Sequence, residues 1–142
     1  GETVRTGEHA RLLMRLGKRT TMRLGERTEI KIDRYIMDAG GEIELGKGAI
    51  QFERKGPKSP EPLNMRSAYG LIAVRGTRFF AGPTRGAFGV LVGEGRVEVT
   101  SGGKTVVVGP QQGTDIAAPG APPSDPKAWG YERVREALKS VR

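Results

Sequence analysis

The feature that most constrains the fold is an alternation of apolar and polar residues that glycine interrupts at short intervals. Between residues 10 and 32, large apolar residues such as Met14 and Met22 hold even positions, with basic residues at many odd ones. A repeat of two residues is typical of a half-buried β-strand. Gly17 and Gly25 lie too close together for a helix to run through this region. The pattern therefore predicts short strands joined by turns.

A tandem repeat lies within this region. Residues 15–22 are Arg-Leu-Gly-Lys-Arg-Thr-Thr-Met and residues 23–30 are Arg-Leu-Gly-Glu-Arg-Thr-Glu-Ile, so five of eight positions are identical. An eight-residue unit with one glycine predicts a short strand, a bend and another short strand. Two such units can stack as coils of a solenoid or pair as a meander.

The same organisation continues along the chain. Further strand-like runs lie at Gly70–Val74, Thr77–Ala81, Ala87–Val92, Arg96–Thr100 and Thr105–Val108. The chain has 22 glycines and 9 prolines among 142 residues, about twice the usual share of glycine, which indicates many turns. We predict an all-β domain over residues 1–116, with short stacked strands in a solenoid-like or sandwich arrangement.

The C-terminal region has a different composition. Residues 117–126 are rich in proline, alanine and glycine, which predicts a linker. We expect an amphipathic helix over residues 127–142, capped by Ser124 or Asp125. Its apolar stripe comprises Tyr131, Val134, Leu138 and Val141. With Trp129, this stripe packs on the β domain in one interpretation and contacts a partner in the other.

The sequence lacks the residues that several kinds of catalytic and metal-binding site require. The chain has no cysteine and a single histidine, His9, so neither a thiolate site nor a histidine-rich metal centre is expected. It contains no phosphate-binding glycine-rich motif and no apolar run of membrane-spanning length. The acidic residues lie among lysines and glycines on strands that we expect to be wet. We therefore predict no enzymatic activity, no catalytic residue, no metal and no cofactor.

The charge balance suggests an anionic partner. The net charge is +8, from 24 basic and 16 acidic residues. One basic row in the N-terminal region comprises Arg11, Arg15, Arg19, Arg23, Arg27 and Lys31. This row is either an ordinary solvated face or a site for an acidic glycan, lipid headgroups, an acidic protein or nucleic acid. Nucleic acid is disfavoured, because residues 1–34 contain no aromatic side chain for base stacking.

Two spaced motifs resemble the FecR domain. A hydrophobic strand ends in Val74-Arg75-Gly76-Thr77-Arg78-Phe79, and a second strand leads to Glu94-Gly95-Arg96-Val97-Glu98-Val99. Gly1–Gly7 resembles that domain's opening motif, and Gly109–Gly113 is similar to its closing turn. The resemblance extends from Gly1 to Ile116.

The resemblance implies an extracytoplasmic bacterial module that binds another envelope protein in signalling or assembly. The family's regulators also carry an anti-sigma segment and a membrane helix, and neither is found in this chain. We expect Arg75-Gly76-Thr77 to hold the backbone in a bend between two strands, with Arg75 paired to an acid such as Glu94. For Arg75, the alternative to this structural role is that it binds a ligand. For the whole domain, the alternative to protein binding is a periplasmic glycan- or polyanion-binding function.

Overall fold

The computed structural model describes residues 1–32, 41–56 and 63–142. It contains twelve β-strands and one helix: β1 Glu2–Arg5, β2 Leu12–Leu16, β3 Thr20–Leu24, β4 Glu29–Ile32, β5 Gly41–Lys47, β6 Ile50–Arg54, β7 Leu63–Ser67, β8 Gly70–Thr84, β9 Ala87–Ser101, β10 Lys104–Val108, β11 Gln112–Ile116, β12 Lys127–Ala128 and α1 Tyr131–Lys139. The fold is therefore all-β with a C-terminal helix, as the alternation predicted. The glycine and three prolines of Lys55–Pro62 predict an exposed loop, most of which lies outside the described residues.

All twelve strands belong to one sheet that folds over on itself. Its hydrogen-bonded path runs β1-β4-β5-β7-β8-β6-β3-β2, with β9 beside β8. The first half of β8 pairs with β7, and the second half pairs with β6 on the other side of the fold. The strand β9 likewise pairs with β10 through one half and with β11 through the other. The two long strands thus belong to both layers, which we call the first layer (β1, β4, β5, β7 and β10) and the second layer (β2, β3, β6, β11 and β12).

The β8–β9 hairpin bends from one layer into the other at two glycines that face each other. We call this bend the fold line. Gly76 is opposite Gly95, and the pairing register shifts between Gly76 and Phe79. A Cβ on Gly76 would lie 2.6 Å from the carbonyl oxygen of Glu94. Gly95 has a φ of 97°, and a Cβ there would overlap the Cα of Gly76. Since neither position can hold a side chain, glycine lets the hairpin bend here, while β8 and β9 stay paired on both sides of the bend.

The main core lies between the two layers. Inward-facing residues of the first layer such as Ile30 and Ile43 belong to the same cluster as Met22 and Phe52 of the second layer. The Phe52 and Phe79 rings are 5.4 Å apart between centroids. Between residues 12 and 32, the even-numbered large apolar residues therefore face one interior, with the exception of Leu12.

The tandem repeat encodes two different connections. The first copy forms the β2–β3 hairpin, with Gly17 at a φ of 67° in its turn. The second copy carries the chain out of the second layer, because β3 pairs with β6 while β4 pairs with β1 and β5. Similar sequences thus form a hairpin in one case and an arch between layers in the other.

One end of the sandwich is closed by residues 117–126. This segment passes over the β9–β10 turn, where a Cβ on Gly102 would lie 2.7 Å from the carbonyl oxygen of Gly120. Ala121 packs against the main core. Ser124 accepts a hydrogen bond from the backbone of Asp115 on β11, and Asp125 pairs with Lys104 of β10. The predicted linker is therefore fastened to both layers.

The helix begins later than the sequence suggested. Residues 127 and 128 form β12, and α1 starts at Tyr131 after Gly130, whose position provides no side-chain cap. Ser124, one of the two expected caps, is bonded to β11 instead. The extended pairing of Lys127 with Gly113 takes precedence over helix propensity here.

The helix α1 packs on the outer face of the second layer. Val141, Ala137 and Trp129 are buried there in a second cluster with Phe80 and Leu91. The side chain of Arg85, in the β8–β9 turn, donates two hydrogen bonds to Glu136 at 3.0 and 3.2 Å. This cluster is separate from the main core, so α1 adds a layer without completing the sandwich.

Replacing Gly95 by alanine should be severely destabilising, because the new Cβ would overlap the backbone of Gly76 and the φ is unfavourable for alanine. We expect a loss of about 3 kcal/mol or more in the free energy of unfolding. Gly103→Ala is the matched control: its φ is 77°, but nothing lies within 4 Å of the added Cβ. There we expect a loss of about 1 kcal/mol. Equal losses in urea denaturation would mean that the backbone contact is unimportant.

The Arg85–Glu136 pair should make the anchoring of α1 dependent on pH. The hydrogen bond from Arg85 lowers the pKa of Glu136 below its ordinary value of 4.5. Its stabilisation is therefore complete above the pKa of the unfolded carboxyl and is lost as the pH falls through the folded-state pKa. We expect Glu136→Gln to lower the melting temperature at pH 7 and to lower it less at pH 3. Glu98→Gln, at an exposed residue with no ion pair in the described part, is the control. A Glu136→Gln effect that is the same at both pH values would contradict this linkage.

Candidate interaction site

The end of the sandwich opposite residues 117–126 is open. The strands β1 and β2 stand at the two ends of the sheet path, and among the described strands β1 pairs only with β4 and β2 only with β3. A cleft of about 500 Å³ separates them, and we call it the edge cleft. It is lined by Glu2, Thr3, Val4, Arg5, Leu12, Leu13, Met14 and Arg15. All of these residues come from β1 and β2, so the cleft offers two unpaired strand edges.

Apolar side chains are exposed at the edge cleft. Leu12 is 37% exposed and its neighbour Leu13 is 46% exposed. Val4 is half-buried and packs against the main core from the other side of the cleft. Residues Met14 and Leu16, further along β2, are buried. The core is therefore accessible at this end, and nothing within the described residues covers it.

The connection between β1 and β2 is held by a small network of hydroxyl groups. Thr6 donates its hydroxyl to the carbonyl of Gly25 at 2.6 Å and accepts a hydrogen bond from the amide of Thr28. Thr28 in turn accepts a hydrogen bond from the amide of Ala49. These bonds tie the first strand to the β3–β4 turn and the β5–β6 turn. The two edges of the cleft are thus fixed relative to each other.

A charged cluster reinforces the same connection. The amide of His9 donates a 2.7 Å hydrogen bond to Glu26, and this bond is the main reason why the pKa of Glu26 lies below its ordinary value. Arg27 pairs with Glu8 at 3.0 Å. His9 itself is highly exposed, so it belongs to this surface cluster and not to a buried site.

The cleft is bordered by more cations than anions. Arg5 donates a hydrogen bond to Glu29 at 3.0 Å, which lowers the pKa of that carboxyl. Arg15 lines the cleft, is exposed and makes no ion pair with any residue of the described ranges, so its charge can interact with a bound molecule. Arg11, just before β2, is also exposed, and its charge contributes to the lowered pKa of Glu26.

The structure does not bring the predicted basic row to one face. Arg15 and Arg23 point outward from the second layer, while Lys31 points outward from the first, on the opposite side of the molecule. Arg11, Arg19 and Arg27 lie in the connections between strands. The row is divided because the arch between β3 and β4 moves the chain to the other layer.

The FecR-like signature lies at the fold line. Gly76 faces Gly95 there, and Phe79 is buried in the main core. Glu94 lies near Arg78, with 3.7 Å between Oε1 and Nη2, whereas Arg75 is opposite Arg96. The expected Arg75–Glu94 pair is therefore replaced by Arg78–Glu94. Thr77 has no partner in this register, and its side chain lies outside the described part.

The residues expected to dock the helix divide into two groups. Trp129 is buried, and Val134 and Leu138 pack against its cluster. Tyr131 is 77% exposed and takes no part in that cluster. Arg133 lies 3.8 Å from the centre of the Trp129 ring and forms an ion pair with Asp115. The tryptophan is thus held between a guanidinium group and the strands.

Sequence reasoning missed the edge cleft, although one signal was present. Leu13 breaks the alternation, since it is an apolar residue at an odd, outward-facing position between Leu12 and Met14. The sequence does not predict that β1 and β2 lie on either side of one cleft. Their positions depend on the arch between β3 and β4, which carries the chain from one layer to the other.

Comparison with known proteins agrees with this architecture. The sequence model described as FecR protein matches residues 2–98. The chain belongs to the FecR family. Two crystal structures of one protein from Parabacteroides distasonis ATCC 8503, described as a "putative anti-sigma factor" and determined at 2.50 and 1.65 Å, have similar folds. Each has a TM-score of 0.78 and 16% identity, over 96% of this chain and 64% of the other. The FecR-family chain thus spans less than two thirds of these relatives.

A search of curated proteins finds no match. In the ranges that the structure covers, no helix is long and apolar enough to cross a membrane.

Proposed function

We propose that this FecR-family chain is a non-enzymatic, extracytoplasmic interaction domain in bacterial envelope signalling, and that an extended segment of a partner protein binds in its edge cleft. The observation that supports this most directly is the pair of unpaired strand edges that border one cleft and expose Leu12 and Leu13. The family and the fold of the anti-sigma-like relatives support a signalling role.

An extended β-strand is the conformation in which a bound segment can pair with these free edges. Each free edge presents backbone N–H and C=O groups, which an added strand pairs through main-chain hydrogen bonds. Its alternate side chains can cover Leu12 and Val4 on the core side. Complete burial of a leucine contributes about 1.5–3 kcal/mol, so the half-exposed Leu12 and Leu13 can each contribute roughly 1 kcal/mol.

The border charges favour an acidic segment. Arg15 lines the β2 side of the cleft and makes no ion pair in the described part of the chain, and Arg11 lies just before β2. Surface charges of this kind mainly orient a partner and accelerate its association. We therefore expect salt to slow binding without abolishing it, because the strand pairing itself is insensitive to salt.

The polyanion alternative is less well supported. Binding to an extended glycan or to lipid headgroups needs many cations on one surface, and the basic row is divided between opposite faces. A polyanion site would also lose affinity steeply as salt rises.

A site-directed crosslink would test the edge cleft. The chain has no cysteine, so Leu13→Cys can carry a single photoreactive label. Val107→Cys is the matched control, since Val107 is 49% exposed on β10, away from the cleft. With solubilised bacterial envelope in high salt, we expect one protein to crosslink to the Leu13→Cys domain and not to the control. Equal labelling from both positions, or recovery of anionic glycan or lipid alone, would overturn the proposal.

Neutralising two cations away from the cleft should leave partner binding unchanged. Lys18→Gln and Arg19→Gln each remove a charge in the β2–β3 turn, and neither residue belongs to the charged cluster around Glu8 and Glu26. Neither residue lines the edge cleft. We expect binding of the crosslinked partner, measured by surface plasmon resonance, to stay within twofold of the wild type. A tenfold loss would favour the polyanion alternative.

A further inference from the structure

A second cavity lies on the far side of the second layer, beside α1. It has a volume of about 480 Å³, within the range of small-molecule sites. We call it the helix groove and define it by Gln51, Phe80, Leu91, Trp129, Val134 and Leu138. It shares no residue with the edge cleft, so a ligand there would be independent of the strand site.

The groove contains a buried polar group that the fold does not satisfy. Gln51 is on β6, opposite Arg23 on one side and Phe80 on the other. It is only 4% exposed, and its Oε1 atom is buried without a hydrogen-bond partner in the described structure. Buried polar atoms nearly always have a partner, and an unpaired one lowers stability. A carboxamide at this position is better explained by a ligand than by packing.

The Nε1 donor of Trp129 is likewise buried without a hydrogen-bond partner in the described structure, and the charged groups of the groove all have one sign. The charged residues among those that line the groove are Arg78 and Arg142, both cationic. The Arg78 guanidinium forms an ion pair with Glu94 at 3.7 Å, but its side chain is 46% exposed and it has five N–H donors, so it can bind an additional anionic group. The walls are otherwise mainly apolar, from Phe80 and Leu91 on the sheet and Val134 and Leu138 on the helix.

We propose that the helix groove binds a small amphiphilic carboxylate. Its apolar body packs between Leu91 and Leu138, and its carboxylate accepts hydrogen bonds from Arg78 and from the Gln51 amide. Rotation of the carboxamide exchanges its oxygen and nitrogen, so Gln51 can present an N–H at the buried position. Arginine suits the charged end, because its guanidinium group binds carboxylates in bidentate geometry.

Trp129 provides a direct signal for this binding. It is the single tryptophan of the chain, and it lines the groove. We would titrate the protein with decanoate, using Trp129 fluorescence and calorimetry, and compare 1-decanol and the decyltrimethylammonium ion. We expect saturable decanoate binding with one site, and at least tenfold weaker binding of the neutral and cationic probes. No saturable response to decanoate, or equal binding of decanol, would overturn the proposal.

Two variants separate the roles of the polar groups. Gln51→Leu should raise the melting temperature, because it removes an unpaired amide, while it weakens decanoate binding at least tenfold. Arg78→Gln should also weaken binding tenfold, and Arg96→Gln, which changes the net charge equally on the opposite layer, should not. Wild-type affinity in Gln51→Leu would show that the carboxamide has no part in binding. Leu13→Lys, in the edge cleft, should bind decanoate normally, so failure of either site is distinguishable from failure of the other.

Discussion

The close approach of two backbones at Gly76 and Gly95 is the constraint on which the rest of the fold depends. The two layers share β8 and β9, so they can enclose a core only if this hairpin bends sharply while it stays paired on both sides of the bend. A side chain at either glycine would push the strands apart by its contact with the opposite backbone. If the strands separated, β7 and β6 could no longer bring the two halves of the core together. The Arg75-Gly76-Thr77 and Glu94-Gly95 motifs therefore lie together for a mechanical reason, and Arg78 and Glu94 lie close to each other beside them.

Local patterns predicted the local structure well. Period-two alternation located the strands, and the spacing of glycines indicated where they end or bend. The runs expected at Gly70–Val74 and Thr77–Ala81 are the two halves of one strand, as are those at Ala87–Val92 and Arg96–Thr100. In the sequence, glycine interrupts the alternation of apolar and polar residues in the same way whether the strand bends there or ends in a turn. Only the pairing of the two glycines distinguishes these cases, and pairing is a property of the folded chain.

The candidate functional surfaces were less predictable, because they depend on which strands become neighbours. The basic row from Arg11 to Lys31 has the right period for one face, but the arch after Leu24 reverses the side of the molecule on which later residues lie. The helix groove depends on Gln51, a single polar residue on an outward-facing strand position that no pattern distinguishes from a solvated one. Its burial results from α1, which is distant in sequence and is held there by Trp129. Gly89 and Gly113 make that contact feasible, since a Cβ on either would collide with the indole ring.

The two ends of the sandwich differ in a way that determines stoichiometry. Residues 117–126 already join the two layers at one end. At the other end, the sheet path begins with β1 and finishes with β2. A strand that pairs with both would convert this open path into a closed ring of strands, as in a barrel. Closing the path would occupy both free edges of the cleft, so the first occupant removes the template for a second at this site. Binding in the edge cleft would therefore be limited to one segment per domain, and a chain that accepts a strand in this way would form a defined complex instead of a growing fibre.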